Sequence, residues 1–127
     1  MAEIAEKVKI EIAPELTQEL KNENQVIVHC MFPAKMDEYY LRIWPTTYLV
    51  CKHTQSRAKI IHQENISLVP NWTKVNPSEN FFFTLIFEGL PKSCRSFDMI
   101  EEIPQSGGFA VRNMIRNNAD VYRVVID

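Results

Sequence analysis

Three cysteines and three histidines are the side chains of this 127-residue chain best suited to nucleophilic or metal chemistry. Cys94 stands in the stretch EGLPKSCRSFD, residues 88–98, between Lys92 and Arg95. A cysteine nucleophile needs a thiolate stabilised by a nearby cation, histidine or helix N-terminus, together with donors for the oxyanion it forms. Its flanking cations make Cys94 the candidate reactive thiol, partnered by one of the histidines if the fold brings one near. The same residues also read as a turn, in which Gly89 and Pro91 carry the chain from one strand to the next and Leu90 enters the core. Lys92, Ser93, Arg95 and Ser96 are then the solvated side of that crossing. The turn is the preferred reading, because a nucleophile is defined by mutual geometry rather than by residue type.

Other constellations are sparser. Cys51-x-His53 with His62 offers three ligands, short of the four in close pairs that structural zinc takes, so no metal and no cofactor is expected. His29 and Cys30 are adjacent and would point to opposite faces of a strand, as would Glu101 and Glu102, which is wrong for an acid and base flanking one bond. No G-x-S-x-G, H-E-x-x-H or phosphate-cradling glycine loop occurs, and the chain has only three glycines. Binding fits better than catalysis. Tyr40, Arg42 and Trp44 are the residue types richest in interface hot spots, at the period-two spacing that places them on one side of a strand. Trp72, in a polar loop with prolines on both sides, is a second large aromatic expected to be partly exposed. Such a face suits a protein partner, or stacking on a sugar ring.

The elements that would carry these residues are strands. Val8, Ile10 and Ile12 alternate with charged residues, and the segment after Pro14 allows at most a short helical turn near residues 14–22. QVIVHCMF reads as a central strand, YYLRIW and TTYLVCK as the next two, and RAKIIHQENISL as a strand returning from a basic tip. FFFTLIF, residues 81–87, is the most apolar run and should lie at the centre of the core. FDMIEEI follows the 88–98 turn, and PQSGG is another turn. FAVRNMIR and DVYRVVID, separated by Asn117, Asn118 and Ala119, have the pattern of a hairpin. About eight short strands without recurring helices predict one all-β domain over residues 1–127, an antiparallel β-sandwich.

The stretches IWPTTYLV, QENISLVPNW, FEGLPKSCRSFDM and IPQSGGF resemble small immunoglobulin-like, telokin-like β-sandwich modules of bacterial proteins, over roughly residues 38–126. In those modules a strand ending in Phe leads through a Leu-Pro or Val-Pro turn into a strand that begins near an aromatic; here Phe87, Leu90, Pro91, Phe97 and Met99 take those places. The resemblance implies the immunoglobulin-like fold and transfers no activity or catalytic residue. Related modules are often on exported proteins.

Composition narrows the function classes. A net charge of −2 gives no field to attract nucleic acid, and Lys52, Arg57 and Lys59 alone are too few for a footprint. No window is apolar enough for a membrane-spanning helix. An odd cysteine count without C-x-x-C spacing predicts reduced thiols, and, with no signal peptide visible, a cytoplasmic monomer; a leader preceding the chain would make it an exported one. The expected function is a non-catalytic binding or protein-interaction module for an unknown protein or small ligand. The alternatives are a thiol-dependent enzyme using Cys94 and a carrier holding a small apolar molecule between its sheets.

Overall fold

The computed structural model describes residues 25–126. The alternating segment at Val8, Ile10 and Ile12 and the helical turn expected near residues 14–22 lie outside the described residues. Within them the chain forms nine strands and no helix: β1 (Val26–Phe32), β2 (Tyr39–Leu41), β3 (Thr47–Cys51), β4 (Arg57–Glu64), β5 (Thr73–Val75), β6 (Phe81–Phe87), β7 (Ser96–Glu101), β8 (Ala110–Ile115) and β9 (Val121–Val125). Seven of them make one sheet in the order β8-β7-β3-β4-β6-β1-β9, and β2 pairs with β5 alone. Every pairing is antiparallel except that of β1 with β9.

Period-two alternation decides which side of this sheet is the core. Val26, Val28 and Cys30 of β1 lie opposite Phe87, Leu85 and Phe83 of β6, and all six are buried. Leu49 and Cys51 of β3 lie opposite Met99 and Phe97 of β7, again fully buried. Leu90 closes the core from the 88–98 turn, as its position between Gly89 and Pro91 predicts. FFFTLIF is the interior strand expected, but only one of its faces is covered: Phe82 is 62% exposed.

The outer face of β4, β6, β1 and β9 carries three cross-strand rows. Ile86, Ile27 and Val121 form one apolar row, and Phe82, Met31 and Val125 another. Between them runs a polar row, Glu64–Thr84–His29–Arg123, in which His29 Nδ1 and Thr84 Oγ1 are 2.9 Å apart.

The sheet's two outermost strands, β8 and β9, are joined by residues 116–120. So short a link requires the sheet to curl until its edges come close, which makes a nearly closed, barrel-like body. The all-β, mostly antiparallel architecture is as predicted. Its hydrogen bonding is continuous because β4 pairs with both β3 and β6, joining strands that two separate sheets would divide.

Two sequence expectations are corrected. The hairpin expected of residues 109–127 does not form: β8 pairs with β7, and β9 runs parallel to β1. The Asn117–Asn118 turn tolerates a reversal, but Arg116 anchors it elsewhere. Its guanidinium donates to the carbonyls of Pro91 (2.8 Å), Cys94 (3.0 Å) and Leu90 (3.3 Å), and to the Asp120 carboxylate at 2.6 Å. Asp120 takes a φ of 56° and its carbonyl accepts the Ile27 N–H, which starts β9 alongside β1.

The cysteines are not all reduced: Cys51 and Cys94 form a disulfide with a Cα–Cα distance of 5.9 Å. Their separation of 43 residues hides the proximity. Cys51 ends β3 opposite Phe97 of β7, and Cys94 sits just before β7 begins. Cys30 is free and buried, and desolvation pushes its thiol up to about 12.

A cross-link closing a 43-residue loop should contribute about 4 kcal/mol through the unfolded chain. The double variant Cys51→Ala/Cys94→Ala is therefore expected to lose roughly 3–4 kcal/mol in urea unfolding. A loss under about 1 kcal/mol would show that the bond does not constrain the chain.

Candidate functional site

Of the binding residues expected from sequence, Arg42, Trp44 and Trp72 come together, through a different set of elements than one long strand, while Tyr40 lies on β2. β2 ends at Leu41, and the chain continues extended through Ile43, which bridges Leu68 in the loop after β4. Its backbone N–H donates to Ser67 and its carbonyl accepts from Val69, both about 3 Å away. These bonds bring the Asn71–Trp72 loop up against residues 42–44. Arg42 then lies over the Trp72 indole, its guanidinium carbon 3.8 Å from that ring centroid and 5.9 Å from that of Trp44. Cation–aromatic contacts of this kind are worth about 0.5–1 kcal/mol at exposed sites. Tyr40 and Trp72 are each 55% exposed, whereas Arg42 and Trp44 are half-buried. Next to Tyr40 in the β2–β5 pairing stands Lys74, whose ammonium is 3.1 Å from Glu38. The face is therefore aromatic with charges of both signs at its rim.

Glu101 is a part of this site that sequence reasoning did not assign. Its carboxylate accepts the Trp44 N–H at 3.0 Å and the Phe109 N–H at 3.4 Å, which sets where Trp44 stands. Burial pushes the carboxyl of Glu101 up, against the pull of those two amides and of Arg42. Adjacency to Glu102 was a sound sign that the two point apart: Glu102 faces solvent and pairs with Arg57 at 2.7 Å. The signal available was a carboxylate at the end of an apolar strand, followed by the turn PQSGG. Gly107 there has φ +110°, and a side chain on Gly108 would collide with the Glu101 carbonyl.

The candidate thiol is placed differently from the expectation. Cys94 is 1% exposed and bonded to Cys51, so neither sulfur is a thiolate nucleophile or a metal ligand here. A cleft of about 320 Å³ lies over this turn, lined by Lys92, Arg95 and Arg116. It resembles an anion site, but the Arg116 donors are already directed to three carbonyls and to Asp120. Asp98, another buried carboxylate, is structural too. It accepts the Asn113 N–H at 2.8 Å where β8 bulges with Asn113 at φ 59°, and lies 3.2 Å from Arg112 and 3.6 Å from Lys52. The Asn113 amide, with those two cations, holds its carboxyl below the ordinary value despite burial.

Among the described residues no cluster of three or more His, Cys, Asp and Glu side chains could hold a metal ion, and no helix is long and apolar enough to cross a membrane. No family model, curated protein or solved structure matches the chain.

Exposure of Tyr40 and Trp72 leads to a stability prediction. Tyr40→Ala and Trp72→Ala should each change unfolding free energy by no more than about 1 kcal/mol, the range of an exposed aromatic contact. Losses above about 3 kcal/mol in a thermal or urea melt would mark these side chains as core.

Proposed function

We propose that this chain is a non-catalytic binding module of the immunoglobulin-like, telokin-like class, and that it engages a protein partner through Tyr40, Arg42, Trp44 and Trp72. The observation that carries the proposal is Arg42 stacked on Trp72 with Trp44 beside it. Stacking restrains a long cationic side chain before any partner arrives, so less conformational entropy is lost when one binds. Aromatic and arginine side chains held in this way are the usual anchors of interfaces. A partner segment that presents a carboxylate to Arg42 and an apolar surface to Trp72 and Tyr40 fits this chemistry.

The immunoglobulin-like assignment is supported by the parallel pairing of β1 with the last strand and by the Tyr122 corner. Tyr122 Oη accepts the Asn117 N–H at 2.9 Å and donates to Asp120, an arrangement like the tyrosine corner of such sandwiches. The buried Cys51–Cys94 bond supports an oxidising compartment, hence export. The same bond weighs against the thiol-enzyme alternative. The carrier alternative finds little support in an interior occupied by Val28, Leu85, Phe87, Phe97 and Met99.

The two indole N–H signals in NMR test this reading. Titration with peptides that combine acidic and aromatic residues should shift the Trp44 and Trp72 signals, and Arg42→Ala should abolish the response while leaving the fold intact. If simple oligosaccharides shift the signals and such peptides do not, the face is a sugar-stacking platform and the protein-partner reading fails.

A further inference from the structure

The outer face of β4, β6, β1 and β9 holds an open groove of about 500 Å³, on the opposite side of these strands from the core. Its floor is the row Phe82–Met31–Val125 and the polar row beside it. Phe82 and Val125 are more than half exposed and stand on either side of Met31 in the row. The polar row has a direction: Glu64 stands at one end and Arg123 at the other, with Thr84 and His29 between. Three strand spacings of ~4.8 Å put the backbones of Glu64 and Arg123 about 14 Å apart, and among the described residues no ion pair joins their side chains. They therefore do not neutralise each other within one chain. Among the described residues Glu64 has one ion-pairing neighbour, His62, at 3.7 Å.

We propose that this face is a self-association surface whose partner is a second copy of the same chain. Two identical sheets meeting face to face are related by a two-fold axis lying in the interface. An axis perpendicular to the strands would place Glu64 against Glu64 and Arg123 against Arg123. An axis along the strands reverses strand order and keeps each row at its own height, so Glu64 of one copy faces Arg123 of the other, twice. It also lays the Phe82–Met31–Val125 row on its own reverse, apolar against apolar. The charge pattern thus selects one of the two symmetric arrangements, with strands of the two sheets roughly aligned, as in packed β-sheets. Four strands by about five residues give roughly 300 Å² of flat area. Counted on both copies that is about 600 Å², below the ~1,200 Å² of standard specific interfaces, so the dimer is weak and transient. This surface is separate from the Trp44–Arg42–Trp72 face.

Sedimentation of the full chain over about 1–500 μM tests it. The expected result is a reversible monomer–dimer equilibrium that Glu64→Arg and Arg123→Glu each weaken at least ~10-fold, as opposed charges become like charges. Mixing these two variants should restore association, because one then carries two cations on this row and the other two carboxylates. Glu64→Arg/Arg123→Glu in one chain should restore self-association. A chain that stays monomeric at 500 μM overturns the proposal, and so does a dimer that neither single variant weakens or that Phe82→Asp leaves intact. Melting curves of each variant separate lost association from lost folding. The indole titration is independent of all these outcomes, so failure of one reading does not imply failure of the other.

Discussion

Arg116 follows directly on β8 in a position where its side chain is mostly enclosed, and it makes five hydrogen bonds: three to the carbonyls of Leu90, Pro91 and Cys94 and two to Asp120. The Asp120 carboxylate in turn accepts from Tyr122, whose hydroxyl accepts the Asn117 N–H, and burial pushes that phenol up to about 12. Removing any one member would leave a buried partner without its bond, and leaving a charged one unpaired costs about 3–5 kcal/mol. The network ties three pieces of chain that are distant in sequence: the β6–β7 turn, the end of β8 and the start of β9. Because β8 and β9 are the two edges of the sheet, the same network decides how far the sheet curls. The disulfide is anchored in the same turn, through Cys94, and fastens it to the end of β3. Phe97, two residues after the turn's last cation, packs edge-on to the Tyr122 ring at 5.1 Å between centroids, so the network continues directly into the core.

A body closed in this way leaves two surfaces with something to offer. One lies where the β2–β5 pair and the loops before β3 and β5 gather Tyr40, Arg42, Trp44 and Trp72. There, a cation lies over the Trp72 ring with Trp44 beside it, and Glu101 holds the Trp44 backbone. The other is the outer side of β4, β6, β1 and β9, where two apolar rows flank a row with a charge at each end. The perturbed groups elsewhere have structural duties: Asp98 caps the β8 bulge, Cys30 fills the core and Tyr122 braces the corner.

Much of this was legible in sequence wherever the information is local. Alternation placed β1, β6 and β7 within a residue or two. Gly89, Leu90 and Pro91 correctly marked a turn with one core residue in it. Spacing also put Arg42 and Trp44 together, though not on a single strand, since Ile43 bridges Leu68 instead. What stayed hidden depends on pairing between distant segments. Asn117 and Asn118 suit a hairpin, and nothing local reveals that Arg116 binds carbonyls some 22 to 26 residues earlier. The Cys51–Cys94 bond was obscured for the same reason, and the third cysteine, buried in β1, made the count odd. Trp72 over Arg42 follows from how the 65–72 loop lies against residues 42–44, which no periodicity encodes.

The corner formed by Arg116, Asp120 and Tyr122 is expected to open only when the whole sheet opens. Native-state hydrogen exchange addresses it directly, through the amides of Cys94, Asn117 and Asp120, which bond within the corner, and that of Ile27, which bonds to the Asp120 carbonyl. If the corner is the closure of the fold, these amides exchange with the same free energy and the same denaturant dependence as the core amides of β1 and β6. If they exchange with a much smaller free energy, independent of denaturant, while β1 and β6 stay protected, the corner is a local decoration and the sheet is held closed by something else.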